Sequence, residues 1–319
     1  MIMGEKKRAL LIAGGGTLGT YTSKELLRLG HAVDVICLED QTSDHGDLRF
    51  IKEYATVDFL KDWLAQNHYD GIVNFLHYDT VESYKPYHEL LAANTDHLIF
   101  LSSYRVYADE QHPVTEEAPQ LLDVTDDQSF LDEETYALAK ARCEKYIRAN
   151  SPRVNWTFVR PVISFSKIRF DLFMNQISFE GVQNGEIYYL PEFAKTLTAG
   201  LDWAGNSGKL IANLLFKEHA KGQAYTISSG QNLTWEEVAQ AYTEIFGMDI
   251  RWVDEETYLT HYPQYRRGCG NHWRYIYDRC FDRLVDNSKV LEATGLTAGD
   301  FKSIREGIAI ELARKKEEK

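Results

Sequence analysis

The feature that most restricts how this chain can fold is a glycine cluster set between an apolar run and a helical one. Arg8-Ala9-Leu10-Leu11-Ile12-Ala13 is a short apolar segment, the pattern of a buried strand. It leads straight into Gly14-Gly15-Gly16-Thr17-Leu18-Gly19, after which Thr20 to Leu29 has amphipathic helical spacing and is closed by Gly30. His31 to Cys37 reads as a second strand. Strand, glycine turn, helix and strand together form a βαβ unit. In it the glycines let the backbone approach a ligand, and the helix start offers free N–H groups and a positive dipole end. That combination suits a pyrophosphate.

The alternation continues down the chain. Leu48–Lys52 reads as a strand, 57–66 as a helix, 71–76 as a strand and 81–93 as a helix. Residues 97–103 form another strand, and 154–161 a sixth. Between them, 109–134 is acidic and punctuated by proline, the pattern of a surface loop, with Asp132 expected to cap a helix running to about Ala149. The chain has 319 residues, enough for one large domain or two interlocked ones. No segment approaches the roughly 18 apolar residues of a membrane span, and residues 1–7 lack a signal-peptide core. Cys37, Cys143, Cys269 and Cys280 show no paired metal spacing, so no metal site is expected and a reduced, cytoplasmic protein is the simplest reading. A net charge of −13 argues against a nucleic-acid surface. The Lys315–Lys319 tail reads as a solvated helix end.

The chemistry-bearing pattern lies downstream of Ser102-Ser103. Tyr136 and Lys140 stand four residues apart, on one face of their helix. An ammonium there favours the phenolate, which brings a group that ordinarily titrates near 10 closer to neutral pH. A serine hydroxyl from the neighbouring strand can hold the oxygen whose proton moves.

In this order the glycine turn, Ser102-Ser103-Tyr104-Arg105-Val106-Tyr107, Tyr136/Lys140 and Arg160-Pro161 resemble the extended short-chain dehydrogenase/reductases, in particular the nucleotide-sugar epimerase/dehydratase group. Fainter echoes follow at Leu201-Asp202-Trp203-Ala204, Ala224 to Gly230 and Asp286-Asn287-Ser288-Lys289, so the resemblance spans nearly the whole chain. It implies an α/β fold, a doubly wound parallel (Rossmann) sheet with a smaller C-terminal α/β lobe. Residues 1–165 plus 196–230 would bind the dinucleotide, and 166–195 plus 231–319 the substrate. By the same resemblance Ser103, Tyr136 and Lys140 would be catalytic. Ser102 would be a satisfied strand hydroxyl, and Tyr107 packing. The cofactor would meet Gly14, Gly16, Thr17, Leu18, Gly19, Glu39, Asp40, Leu76, Tyr136, Lys140 and Pro161. Ser103, Arg105, Arg267 and Arg279 would meet the substrate.

The departures are informative. Ala13 stands at the family's first motif glycine, and Cys37 at the acidic residue that holds the adenine ribose. Glu39 or Asp40 can substitute for it, and no arginine or lysine stands beside them in sequence; the family's adenine-side aspartate after the third strand is also absent, with Glu53 and Thr56 as imperfect replacements. NAD is therefore expected over NADP. Ser103-Tyr104-Arg105 replaces the Thr-Asp-Glu of sugar dehydratases, which removes the extra acid and base that elimination requires. Arg266, Arg267, Arg274 and Arg279 are candidate oxyanion ligands. The aromatics around them, 261–277, suit either a base and sugar face or a helix pair packed on the core. The activity implied is an NAD-dependent nucleotide-sugar epimerase or related sugar oxidoreductase. A reductase of a small carbonyl compound and a non-catalytic dinucleotide- or RNA-binding relative are the alternatives. The resemblance also implies a homodimer through residues 81–93 and 135–149, with Leu90, Leu91, Ala139 and Cys143 as an apolar seam.

Overall fold

The structure, a computed structural model, describes residues 5–133 and 135–317. Seven strands form one parallel sheet: Arg8–Ile12 (β1), Ala32–Cys37 (β2), Leu48–Lys52 (β3), Tyr69–Asn74 (β4), Thr95–Leu101 (β5), Trp156–Pro161 (β6) and Ala224–Ile227 (β7). Their spatial order is β7-β6-β5-β4-β1-β2-β3, so the winding reverses between β1 and β4. Crevices for nucleotide ligands open at such a reversal, outside the carboxyl ends of the strands.

Side-chain alternation along the strands feeds both faces. Ala9, Leu11, Val33 and Val35 pack against Leu26 of the helix Thr17–Arg28 (α1) and against Leu210 and Ile211. Leu10, Ile12, Ile36 and Ile72 point the other way, onto Leu60 and Leu64 of Val57–Gln66 (α2) and Leu91 of Val81–Ala93 (α3). Each fully buried aliphatic side chain is worth about 1.5–3 kcal/mol. α1 begins at Thr17, directly after Gly16, rather than at Thr20. The reason is contact: any side chain on Gly19 would strike the Gly14 backbone, so turn and helix lock together at that point.

Of the expected surface loop 109–134, the described residues 109–133 are more ordered than a loop. They hold two short helices, Leu121–Val124 and Gln128–Leu131, and bury Val114, Ala118, Leu121 and Phe130. Asp132 ends the second of these. The next helix, Tyr136–Asn150 (α4), starts instead from Thr135. Leu91, Ala139 and Cys143 are buried inside the subunit and Leu90 is half-buried against the core, so these four do not form an outward seam. The exposed rows of α3 and α4 carry Glu82, Pro86 and Glu89, and Lys145 and Arg148.

After β6 the chain builds a second group of elements. Ile163–Phe165 and Leu201–Trp203 pair in parallel and lead into the helix Ala204–Leu214 (α5), whose Gly208 lets it press on Tyr21 and Thr22 of α1. Ile187–Pro191 pairs in parallel with Asp249–Val253, beside the helix Trp235–Phe246 (α6). An aromatic core of Phe170, Phe173, Trp235, Tyr242, Tyr258 and Tyr275 holds these pieces together. The last helix is Ile304–Glu317; the side chains of the Lys315–Lys319 tail lie outside the described residues. No described helix is long and apolar enough to cross a membrane.

Candidate active site

A cleft of about 420 Å³ opens at the carboxyl ends of β5 and β6. Thr17 and Leu18 close one side of it, and Pro161 lies on its floor. Ser102 and Ser103 follow β5, where a tight turn, Tyr104–Val106, swings Arg105 back over the cleft. Ser103 holds that turn by accepting the Arg105 N–H at 3.2 Å. Tyr136, the first residue of α4, faces Ser103 within hydrogen-bonding reach. His77 stacks on its ring at 5.3 Å, and the Arg105 guanidinium stands 5.0 Å from its centroid.

Lys140 comes close to Tyr136, as the spacing suggests. It is fully buried one turn behind Tyr136, 5.7 Å from the ring centroid, and donates to the Leu101 carbonyl at 2.7 Å. Burial brings its ammonium down to about 8. Burial likewise raises the Tyr136 phenol above its ordinary value, and the influences pulling it back are Arg105, the Ser103 hydroxyl and Arg169. Arg105 is thus the leading cation favouring the phenolate, with Lys140 also beside the ring. Ser102 departs from expectation: its Oγ is buried at the cleft wall with no hydrogen-bond partner among the described residues.

The opposite wall comes from the second lobe. Arg169 and Asp171 lie on a short hairpin arm, paired through the guanidinium Nε and Nη2 at 2.6 and 2.8 Å. A π-helical turn, Tyr275–Arg279, widens the backbone and presents Arg274 and Arg279 to the cleft, with Asp278 beneath them. Asp278 accepts from the Tyr104 hydroxyl at 2.8 Å and from Arg279, with Arg105 at 3.1 Å. Burial alone would raise its carboxyl; Arg279, Arg105, Arg283 and Arg274 bring it to about 2. Arg274 falls to about 10, through burial first and then the neighbouring Arg279.

A second recess of about 190 Å³ lies at the ends of β1 and β2, lined by Gly16, Cys37, Glu39, Glu53, Tyr54 and Leu76 among others. At Gly16 a side chain would meet nothing, so the glycine leaves open space there. Gly14 and Gly15 serve packing instead, pressed on Leu11 and Val35, and on Cys37 and Glu39. Ala13 adopts a left-handed φ of 55°, the conformation for which glycine is the usual residue.

The remaining sequence candidates scatter. Asp40 is exposed and pairs with Lys52 at 3.1 Å, so a lysine does stand near this end of the site. Arg49 is engaged by Asp34. Thr56 caps α2. Arg267 is exposed, outside the cleft lining, and Arg266 pairs with Glu256. Tyr107 is fully buried, bonded to Thr226 and Arg160. Among the described aromatics of 261–277 none lines the cleft; Tyr265 and Tyr275 are core, and Trp273 and Tyr277 pack on Phe130. Arg169 and Asp171 escaped the sequence reading, because only the fold brings their arm to Ser103. The one grouping of metal-ligating type among the described residues, His68, Asp70 and Asp96, sits at the opposite ends of β4 and β5.

In sequence, no family model and no curated protein matches this chain. Solved structures match it in shape over nearly its whole length. The Bordetella bronchiseptica enzyme WbmG in complex with NAD superposes with a TM-score of 0.69 at 14% identity, over 97% of this chain and 94% of that one. UDP-glucose-4-epimerase from Stenotrophomonas maltophila, with bound NAD and formylated UDP-arabinopyranose, gives 0.68 at 14%, over 96% of each chain. MoeE5 in complex with UDP-glucuronic acid and NAD gives 0.66 at 16%, over 98% of this chain and 100% of that one. At such identities the likeness establishes the fold, and the family resemblance of the sequence holds at that level.

Proposed function

We propose that this protein is an NAD-dependent nucleotide-sugar epimerase or a related sugar oxidoreductase. The observation that carries the reading is the meeting of Ser103 and Tyr136 in one cleft with Thr17 and Leu18 of the glycine turn. NAD and UDP-sugars in the structural neighbours support it. The residues present fit a dinucleotide. Gly16 leaves a cradle that a Cβ would fill, the N-terminus of α1 has no side-chain cap, and Glu39 flanks a recess suited to an adenosine. Gly16, Thr17, Leu18, Glu39, Leu76 and Pro161 would hold it, with Lys140 behind Tyr136. NAD bound there supplies a hydride acceptor and donor.

This chain's own residues manage the proton. Ser103 hydrogen-bonds the reacting oxygen, and Tyr136, as phenolate, takes the hydroxyl proton and later returns it; general acid–base catalysis of this kind is typically worth about 10² to 10⁴ in rate. Arg105 and Arg169 offset part of the burial that disfavours the phenolate. Elimination of water finds no free carboxylate at this wall, because Asp278 is enclosed by Tyr104 and arginines and Asp171 is held by Arg169. Epimerisation or simple oxidation and reduction fits better.

A thermal-shift series tests this reading, since ligands of the native state raise its Tm by mass action. NAD should stabilise the protein more than NADP, whose 2′-phosphate would meet Glu39. A UDP-sugar should add to the NAD shift. Stabilisation by neither dinucleotide would remove the reading.

A further inference from the structure

Five guanidiniums gather where the cleft faces Ser103 and Tyr136, and two carboxylates answer them. Arg105, Arg169, Arg274 and Arg279 line the cleft, with Arg283 behind them at 3.6 Å from Asp278. Asp171 is taken by Nε and Nη2 of Arg169 and has Arg274 at 3.8 Å. Asp278, with no exposed side-chain surface, is shared by Arg279, Arg105 and Arg283. Three donors are left over among the described residues: Arg274 Nη2 and Arg283 Nε are buried with no hydrogen-bond partner, and so is Arg105 Nε, which is close to Asp278 but misaligned. Unpaired charge in a buried wall is costly unless a ligand supplies the missing anion. The excess sits at the reacting end, because Arg105 stands 5.0 Å from the Tyr136 ring and both Arg105 and Arg169 act on its phenol. A neutral sugar brings only hydroxyls to that place.

We propose that the reacting part of the substrate carries a carboxylate, making it a sugar acid rather than a neutral sugar, and that Arg105 and Arg274 hold that group. The inference rests on the nucleotide-sugar reading for its handle but not for its anion. A planar guanidinium matches a carboxylate in two parallel hydrogen bonds. A sugar phosphate offers similar oxygens, and the diphosphate of any nucleotide sugar can satisfy part of this charge. The decisive comparison is therefore between ligands that share the diphosphate.

Calorimetric titration of the NAD-loaded protein with UDP-glucuronate and UDP-glucose provides it, with free glucuronate, glucose and glucose 6-phosphate as further arms. UDP-glucuronate should bind at least about tenfold more tightly than UDP-glucose, the usual worth of a charged hydrogen bond. Arg274→Gln should collapse that ratio. Arg274→Lys, which keeps the charge and loses the fork, should leave an intermediate ratio, and the Tm of each variant reports whether it is folded. If both UDP ligands fail while glucuronate binds and glucose does not, the carboxylate site stands and the nucleotide-sugar reading falls. Equal affinities for the two UDP ligands overturn the proposal. So does glucose 6-phosphate binding more tightly than glucuronate, or no binding in any arm.

Discussion

Tyr136 shows how much of a site's chemistry is decided by neighbours that sequence spacing does not reveal. The Tyr-x-x-x-Lys spacing is present, yet in the free protein burial dominates both groups and the phenol's nearest electrostatic support is Arg105. Removing that positive charge makes the phenolate harder to form. Arg105→Gln should accordingly move the alkaline-rising limb of the pH–rate profile to higher pH, measured as kcat/KM across pH; an unmoved limb would contradict the assignment. Lys140 gives a stability test with a definite sign. Its folded value of about 8 lies below the ordinary 10.5, so between those values the unfolded chain binds more protons and stability rises with pH. Relative to Lys140→Met, the wild-type protein should gain Tm as pH climbs from about 8 toward about 10.5. Ala13 makes a smaller claim. A left-handed alanine costs roughly 1–2 kcal/mol, partly offset by the unfolded-chain entropy of glycine, so Ala13→Gly should stabilise by up to about 1 kcal/mol in urea melts.

At the scale of elements, the parallel strands were legible because strands buried on both faces are nearly continuous apolar runs, as in Leu10-Leu11-Ile12 and Ile72-Val73. The glycine turn was legible because its residues serve contacts that only a missing Cβ allows, at Gly14 and Gly19. Less could be read where tertiary contacts choose among local options. Asp132 and Thr135 are both good helix caps, and what separates them is the docking of Phe130 under Trp273 and Tyr277, from far along the chain. Arg169 was invisible for the same reason, whereas Arg105 and Arg279 could be named. The element joint at β6 carries a sharp prediction. Arg160 and Glu144 form a fully buried two-point ion pair between β6 and α4, at 2.9 and 2.6 Å. Glu144→Ala leaves the guanidinium uncompensated and should cost about 3–5 kcal/mol by chemical denaturation. A loss below about 1 kcal/mol, the range of an exposed pair, would contradict it.

For the molecule as a whole, the sheet reversal between β1 and β4 sets a recess of about 190 Å³ beside a charged cleft, and the second lobe adds Arg169, Arg274 and Arg279 to the Arg105 of the first. Association through α3 and α4, as the family resemblance implies, would join polar rows, Glu82 and Glu89 with Lys145 and Arg148, beside the half-buried Tyr87, Leu90 and Tyr146. A dimer of that kind should weaken as salt rises, which light scattering across ionic strength would show; a salt-independent dimer would place the interface elsewhere. The claim on which the rest depends is that Tyr136 moves the proton while hydride passes between the sugar and NAD. It is tested most directly by absorbance at the reduced-nicotinamide band after an accepted nucleotide sugar is mixed with the NAD-loaded protein. The account predicts that the wild type shows reduced cofactor and turnover, and that Tyr136→Phe, binding NAD with near-normal affinity, shows neither. Full turnover by Tyr136→Phe would contradict it.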